Sequence, residues 1–232
     1  MQVIDIHRVE TSDSVSVTSI ADKFVGPQDK RIHAFLINYG CHGYGKFQVD
    51  PMTLTALETG LHKVKESRER KNLMNVMYDL IKSGSLPAAH VLRIIINNLE
   101  HETAVDILQD TFRFIVPCIL SKFLHEEINE ARSSEMFNLT LRIMTSGRFN
   151  EFPAAMEMLL SSAIGFATTQ DEITLVYKWF TLGKITSAKG KAIEGADINV
   201  KVRHTLIRKM FGTTHIPHAQ KKECFAQLAK MD

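Results

Sequence analysis

The sequence predicts a mainly α-helical protein, an α-solenoid of paired helices over residues 51–232 preceded by a short β module over residues 1–50. Three observations carry that expectation. The 232 residues include only 12 glycines and 6 prolines, and few breakers mean few turns. Beyond residue 51 the apolar residues recur at the 3.6-residue period of a helix. Period-two alternation and a cluster of glycines are confined to the first fifty residues.

The β module is read from four runs. Val3-Ile4-Asp5-Ile6-His7-Arg8-Val9 and Val15-Ser16-Val17-Thr18 alternate as strands do. Ala34 to Asn38 and Lys46 to Val49 are short β-type runs on either side of Gly40-Cys41-His42-Gly43-Tyr44-Gly45, a connection suited to a hairpin. Asp50-Pro51 then supplies an N-cap and a proline at the first helical position.

From there helices follow one another. Leu73, Val76, Met77, Leu80 and Ile81 form one apolar helix face, which Gly84 stops and Ser85-Leu86-Pro87 follows. The next helix holds Val91, Leu92, Ile94, Ile95, Ile96 and Leu99. These cover more than one face, so it should lie between neighbours. Residues 101–124 read as a longer helix carrying Val105, Leu108, Phe112, Ile115 and Ile119, kinked or split by Pro117. Further helices are expected at about 126–146, 150–167, 171–182, 197–211 and 217–231, joined by short connections. Pairs of such helices, apolar on two sides, point to a stack in the manner of degenerate HEAT repeats.

Composition excludes several classes. An apolar fraction of 44% and a charged fraction of 23% are ordinary for a globular domain, not for a disordered, collagen-like or low-complexity chain. A chain of this size buries roughly 70% of its unfolded surface, enough for a large core. A formal charge of +2 is too small for wholesale nucleic-acid binding. The most apolar run, Val91 to Leu99, is too short to span a bilayer. The N-terminus lacks the basic and apolar regions of a signal peptide. Cys41, Cys118 and Cys224 are odd in number and far apart, with no CxxC pair, which favours a reducing, cytoplasmic compartment.

Motifs of catalysis are incomplete. His125-Glu126-Glu127-Ile128-Asn129 imitates the HExxH helix of zinc peptidases, in which two histidines four apart share a helix face and the glutamate activates water. Asn129 replaces the second histidine, and in His101-Glu102-Thr103-Ala104-Val105 the replacement is Val105. Both read as solvated helix starts. His215 and His218, split by Pro217, read as a turn into the last helix rather than metal ligands. Cys41-His42 could be half of a nucleophilic pair but has no local catalytic partner, so Cys41 reads as a buried or half-exposed hairpin cysteine, and Gly43-Tyr44-Gly45 as a turn. Neither a nucleophile elbow nor a P-loop occurs. Lys201, His204 and Arg208 form a basic stripe opposite Ile198, Val202, Leu206 and Met210. Such a stripe is ordinarily the wet side of a helix, and it is also the chain's candidate contact for an anion or a peptide carboxylate.

The order of segments resembles one family. Ile32 to Asn38, followed by Tyr44 to Pro51, resembles the end of the β-sandwich and the lead-in to the helical domain of aminopeptidase N-type zinc aminopeptidases (peptidase family M1). Asn75 to Ala88 is similar to the family's Asp-containing helix and the Leu-Ala-x-x-Gly-x-Leu stretch after it. Glu102-Thr103-Ala104-Val105 with Leu108-Gln109 resembles the next helix, most of all in bacterial members. Tyr177 to Leu182 and Gly195 to Phe211 resemble the later part of the array, where members often carry Asp-Leu-Arg-Trp and this chain has Asp197-Ile198-Asn199-Val200.

The resemblance implies the last β strands and much of the C-terminal helical domain of such an enzyme. The family's zinc site (HExxH with a later glutamate) and its Gly-x-Met-Glu-Asn loop belong to a separate thermolysin-like domain, and this chain has neither motif. Zinc is therefore expected only on that other domain, with no cofactor, metal or catalytic residue here. The implied role is to wall a peptide chamber or dock a partner: a catalytic aminopeptidase domain, other protein subunits or a peptide, with no nucleic acid and no membrane span. The array stops before it usually ends in the family, which leaves a fragment or a catalytically dead relative as the expectation. Alternatives are a fragment that completes an active aminopeptidase in trans, and a scaffold subunit with peptidase ancestry but no peptidase activity.

Overall fold

A computed structural model describes residues 34, 36, 38–41 and 45–228, and it is mainly helical. The alternating runs 3–9 and 15–18 and residues 42–44 of the glycine-rich connection lie outside the described residues. Among the described residues no strand forms, and Lys46–Val49 runs as coil into the first helix. A β-type run becomes a strand only when a neighbour takes up its N–H and C=O groups, and no such ladder forms among the described residues. Tyr39–Cys41 is a single 3-10 turn in which Cys41 is exposed rather than buried or half-buried.

α1 (Pro51–Leu57) starts as the sequence predicts, with the Asp50 carboxylate accepting from the Thr53 N–H at 2.9 Å and Pro51 in the first helical position. α2 (Ser67–Lys82) buries Leu73, Val76, Met77, Leu80 and Ile81, the face its period marks. It ends in a Schellman motif: Gly84 takes φ +72°, its N–H reaches the Ile81 carbonyl, and the Ser85 N–H reaches that of Leu80. α3 (Ala88–Leu99) buries Val91, Leu92, Ile94, Ile95 and Leu99 between α2 on one side and later helices on the other.

Residues 105–123 form one rod of four pieces: α4 (Val105–Asp110), a π-turn (Thr111–Ile115), α5 (Val116–Cys118) and a second π-turn (Ile119–Phe123). The rod begins at Val105 instead of residue 101 because the Glu102 carboxylate accepts from the Thr103 and Ala104 N–H groups, at 2.9 and 2.8 Å. That local turn competes with the helix. α6 (Glu126–Thr145), α7 (Pro153–Phe166), α8 (Gln170–Leu182), α9 (Val200–Gly212) and α10 (His218–Leu228) complete the order. α8 opens with a capping box between Thr169 and Glu172. α9 starts at Val200 rather than 197 because the Asn199 side chain accepts from the Val202 N–H. The connection at 183–199 is long, not short. It folds back through an antiparallel bridge between Thr186 and Ala192.

The helices pack on one another across the chain. α2 packs on α4, α4 and the first π-turn on α7, and α7 on α9. α3 touches α6, Phe137 of α6 stacks on Trp179 of α8 at 6.3 Å, and Tyr177 of α8 reaches Glu223 of α10. α6 also packs on α7 and α8 on α9. Met77, Leu92, Phe112, Met136, Leu159, Trp179 and Leu206 are buried in one continuous core.

One buried ion pair ties the first helices together. Arg70 donates through Nε and Nη2 to the two oxygens of Glu102, at 2.8 and 2.6 Å, while its Nη1 donates to the carbonyls of Val64 and Lys65. Bonding to Glu102 holds the guanidinium's pKa above its ordinary value. Burial pushes the Glu102 carboxyl up, but Arg70 and the Ala104 and Thr103 amides outweigh it and hold it below the usual range. His101-Glu102 is therefore not a solvated helix start: His101 is exposed, but Glu102 is buried.

Candidate functional site

A groove of about 630 Å³ opens along the 105–123 rod, and Pro117 explains its position. Proline has no N–H, and its ring collides with the carbonyl four residues back in a regular helix. The rod widens on both sides of it; in the first π-turn the Val116 N–H reaches five residues back to the Thr111 carbonyl. Whether counted in the α or the π register, the carbonyl that would face residue 117, that of Arg113 or Phe112, receives no hydrogen bond from it. Both residues line the groove. The first half of the rod stays on α7, while the second π-turn packs on α3 and α6. The cleft lies between the rod, the start of α6 and the exposed side of α7.

Its floor is apolar, from Phe112, Leu120, Met158 and Phe166, and its walls are polar. Asn129, the residue that spoils the HExxH pattern, donates to the Leu120 carbonyl at 2.9 Å and accepts from the Ser133 hydroxyl at 3.1 Å. It closes the end of the rod rather than meeting a metal. Ser162 donates back to the Met158 carbonyl, as helix hydroxyls commonly do. The buried Ser161 Oγ has no hydrogen-bond partner among the described residues.

Two cations and one carboxylate stand at the mouth. Glu157 accepts from Lys201 and, at 2.7 Å, from Asn199. These bonds, that of Lys201 first, hold its carboxyl below the ordinary range. Arg113 is exposed and makes no hydrogen bond or ion pair among the described residues. The groove thus offers guanidinium, ammonium and hydroxyl donors beside carbonyl and carboxylate acceptors, over an apolar floor. Such a surface suits an extended chain of amides better than a metal or a redox cofactor.

The basic stripe is divided. Lys201, His204 and Arg208 are all exposed on α9, opposite buried Val202, Leu206 and Met210. Only Lys201 lines the groove. Ile198 lies ahead of the helix, half-buried. Lys209, on the neighbouring face, turns inward and donates to the Gly165 carbonyl in the last turn of α7, and burial pulls its pKa down.

His125 is the exposed N-cap of α6, and His215 and His218 flank the turn before α10, with His215 Nδ1 3.1 Å from Gln170. No cluster of three or more metal-ligating side chains occurs among the described residues. No helix among them is long and apolar enough to cross a membrane. Burial raises the pKa of the Cys224 thiol, the opposite of what a nucleophile needs.

Sequence reasoning missed Arg113, Glu157 and the serines of the groove. The kink at Pro117 was the available signal, since a proline inside a strong apolar period marks where backbone groups come free. No family model matches the chain, and comparisons with curated proteins and with solved structures likewise find no match.

Proposed function

We propose that the chain is a non-catalytic helical domain, related to the C-terminal domain of zinc aminopeptidases, that encloses a peptide chamber or docks a partner. Two features support the reading. The segment order resembles that family, and the close packing of successive helices, α6 on α7 and α8 on α9, supports an α-solenoid of HEAT-like helix pairs. The observation that carries it is the groove at Pro117, a cleft of about 630 Å³ with polar walls and an apolar floor. Its size falls within the range of ligand-binding clefts. In this reading the groove and Lys201 face the chamber, His204 and Arg208 extend the contact along α9, and a zinc-bearing chain supplies the chemistry.

Replacing Lys201, His204 and Arg208 together by alanine tests the contact. All three are exposed, so the fold should survive and affinity for peptides with a free carboxylate should fall by about tenfold, one lost charge-assisted bond. Unchanged affinity for both peptide and protein partner would remove these residues from the site.

A further inference from the structure

The charge of this chain is unevenly placed. Residues 100–177 hold 12 Asp and Glu against 5 Lys and Arg, whereas residues 178–232 hold 4 against 11. The overall +2 conceals this separation. Several cations of the second segment are occupied: Lys201 pairs with Glu157, Lys209 with the α7 C-terminus, and Lys221 with the carbonyls of Phe211 and Thr213. Others are displayed. Lys184, Lys189 and Lys191 are exposed on the fold-back at 184–193, and their ammonium groups make no hydrogen bond or ion pair among the described residues.

That fold-back is held firmly. Ile185 and Ile193 are buried at its base, and the Ile193 N–H donates to the Ile185 carbonyl at 3.0 Å. The indole of Trp179, itself buried in α8, donates to the Thr186 carbonyl at 2.8 Å. Gly190 takes φ +79° at the tip, and the Ser187 hydroxyl accepts from the Lys191 N–H. Three lysines are thus presented on a braced loop, so little side-chain-bearing backbone remains to be ordered on binding. Leu182, 65% exposed at the end of α8 and two residues from Lys184, adds apolar area beside the charge.

We infer that this lysine-tipped loop, with Leu182, is a docking surface for a short acidic and apolar segment of a partner protein. Charge complementarity and compactness both favour that occupant. Glu194 and Asp197, both exposed immediately after the loop, oppose a polyanion such as a nucleic-acid duplex or an anionic bilayer that extends past the lysines. A segment a few residues long stays within about one Debye length, ~8 Å, of the lysines. The inference rests on the reading of the chain as a docking domain and names the chemistry of what it docks.

The test uses the full chain and a fluorescein-labelled peptide of about five residues alternating Glu and Leu, followed by anisotropy at about 50 and about 300 mM salt. Saturable binding is expected, weakening roughly tenfold at the higher salt. The triple variant K184E/K189E/K191E should weaken it at least about tenfold more, while K46E/K63E/K65E, an equal charge change at exposed lysines elsewhere, should leave it within about twofold. A peptide that fails to bind, or two triple variants that behave alike, would overturn the inference. So would a single-stranded oligonucleotide or phosphatidylserine vesicles binding as tightly as the peptide. Self-association abolished by the loop variant would assign the surface to a second copy instead and overturn it as well. The experiment contains no zinc chain, so its failure leaves the aminopeptidase reading standing, and failure of that reading leaves this result intact.

Discussion

Removing Glu102 tests how the first helices are held. In Glu102→Ala the Arg70 guanidinium, 8% exposed, keeps its charge and its two bonds to the Val64 and Lys65 carbonyls but loses both carboxylate partners. The Thr103 and Ala104 amides lose their acceptor at the same time. Breaking one side of a buried pair costs about 3–5 kcal/mol, mostly the penalty of the charge left behind. For a domain of this size each kcal/mol is worth about 2–4 °C, so the midpoint should fall by at least about 6 °C. The assay is thermal and urea denaturation followed by circular dichroism, with Glu102→Met, Arg70→Met and the double variant R70M/E102M forming a closed cycle beside it. The double variant should be much less damaged than Glu102→Ala alone, because no unpaired charge remains. A loss under about 1 kcal/mol for Glu102→Ala would refute the argument, since exposed pairs cost that little.

The same pair sets a pH dependence: the folded Glu102 carboxyl titrates below the unfolded one, so its stabilisation is complete above about pH 4.3 and disappears as pH falls through the lower folded value. Acid unfolding should accordingly be less steep in Glu102→Gln. Pro117→Ala restores an N–H to the rod and should tighten its register, raising the unfolding free energy from urea denaturation by up to about 3 kcal/mol and narrowing the groove in a crystal structure. A groove of unchanged size would show that Pro117 does not open it. Gly195→Ala should destabilise by more than about 1 kcal/mol, because φ is +73° and a Cβ would stand 2.9 Å from the Asn150 carbonyl oxygen. Asp50→Ala should cost about 1 kcal/mol through the loss of the α1 cap, read from the same denaturation curves.

Much of the helical order was legible because the local signals agree with one another. Asp50-Pro51 capped as written, Gly84 stopped α2, and the apolar period of residues 73–81 named its buried face. Less was legible where a tertiary contact decides. Glu102 is written as a solvated residue at a helix start, and only an arginine 32 positions earlier makes it a buried partner. The Glu157–Lys201 pair spans 44 positions and leaves no periodic trace. The long fold-back at 184–193 went unread because its apolar anchors, Ile185 and Ile193, are too few to set a period. Pro117 is intermediate: the kink could be foreseen, but the π-turns that absorb it, and the groove they open, depend on what α6 and α7 leave uncovered.

The central claim is that this chain supports peptide chemistry carried by another polypeptide. Aminopeptidase turnover and zinc content, measured together on the native complex and on the isolated chain, test it most directly. The account expects the complex to contain a second chain bearing HExxH, to hold zinc and to release N-terminal residues from peptides, while the isolated chain does neither. Stoichiometric, tightly held zinc in the isolated chain would contradict it, as would a native complex with no such second chain and no turnover.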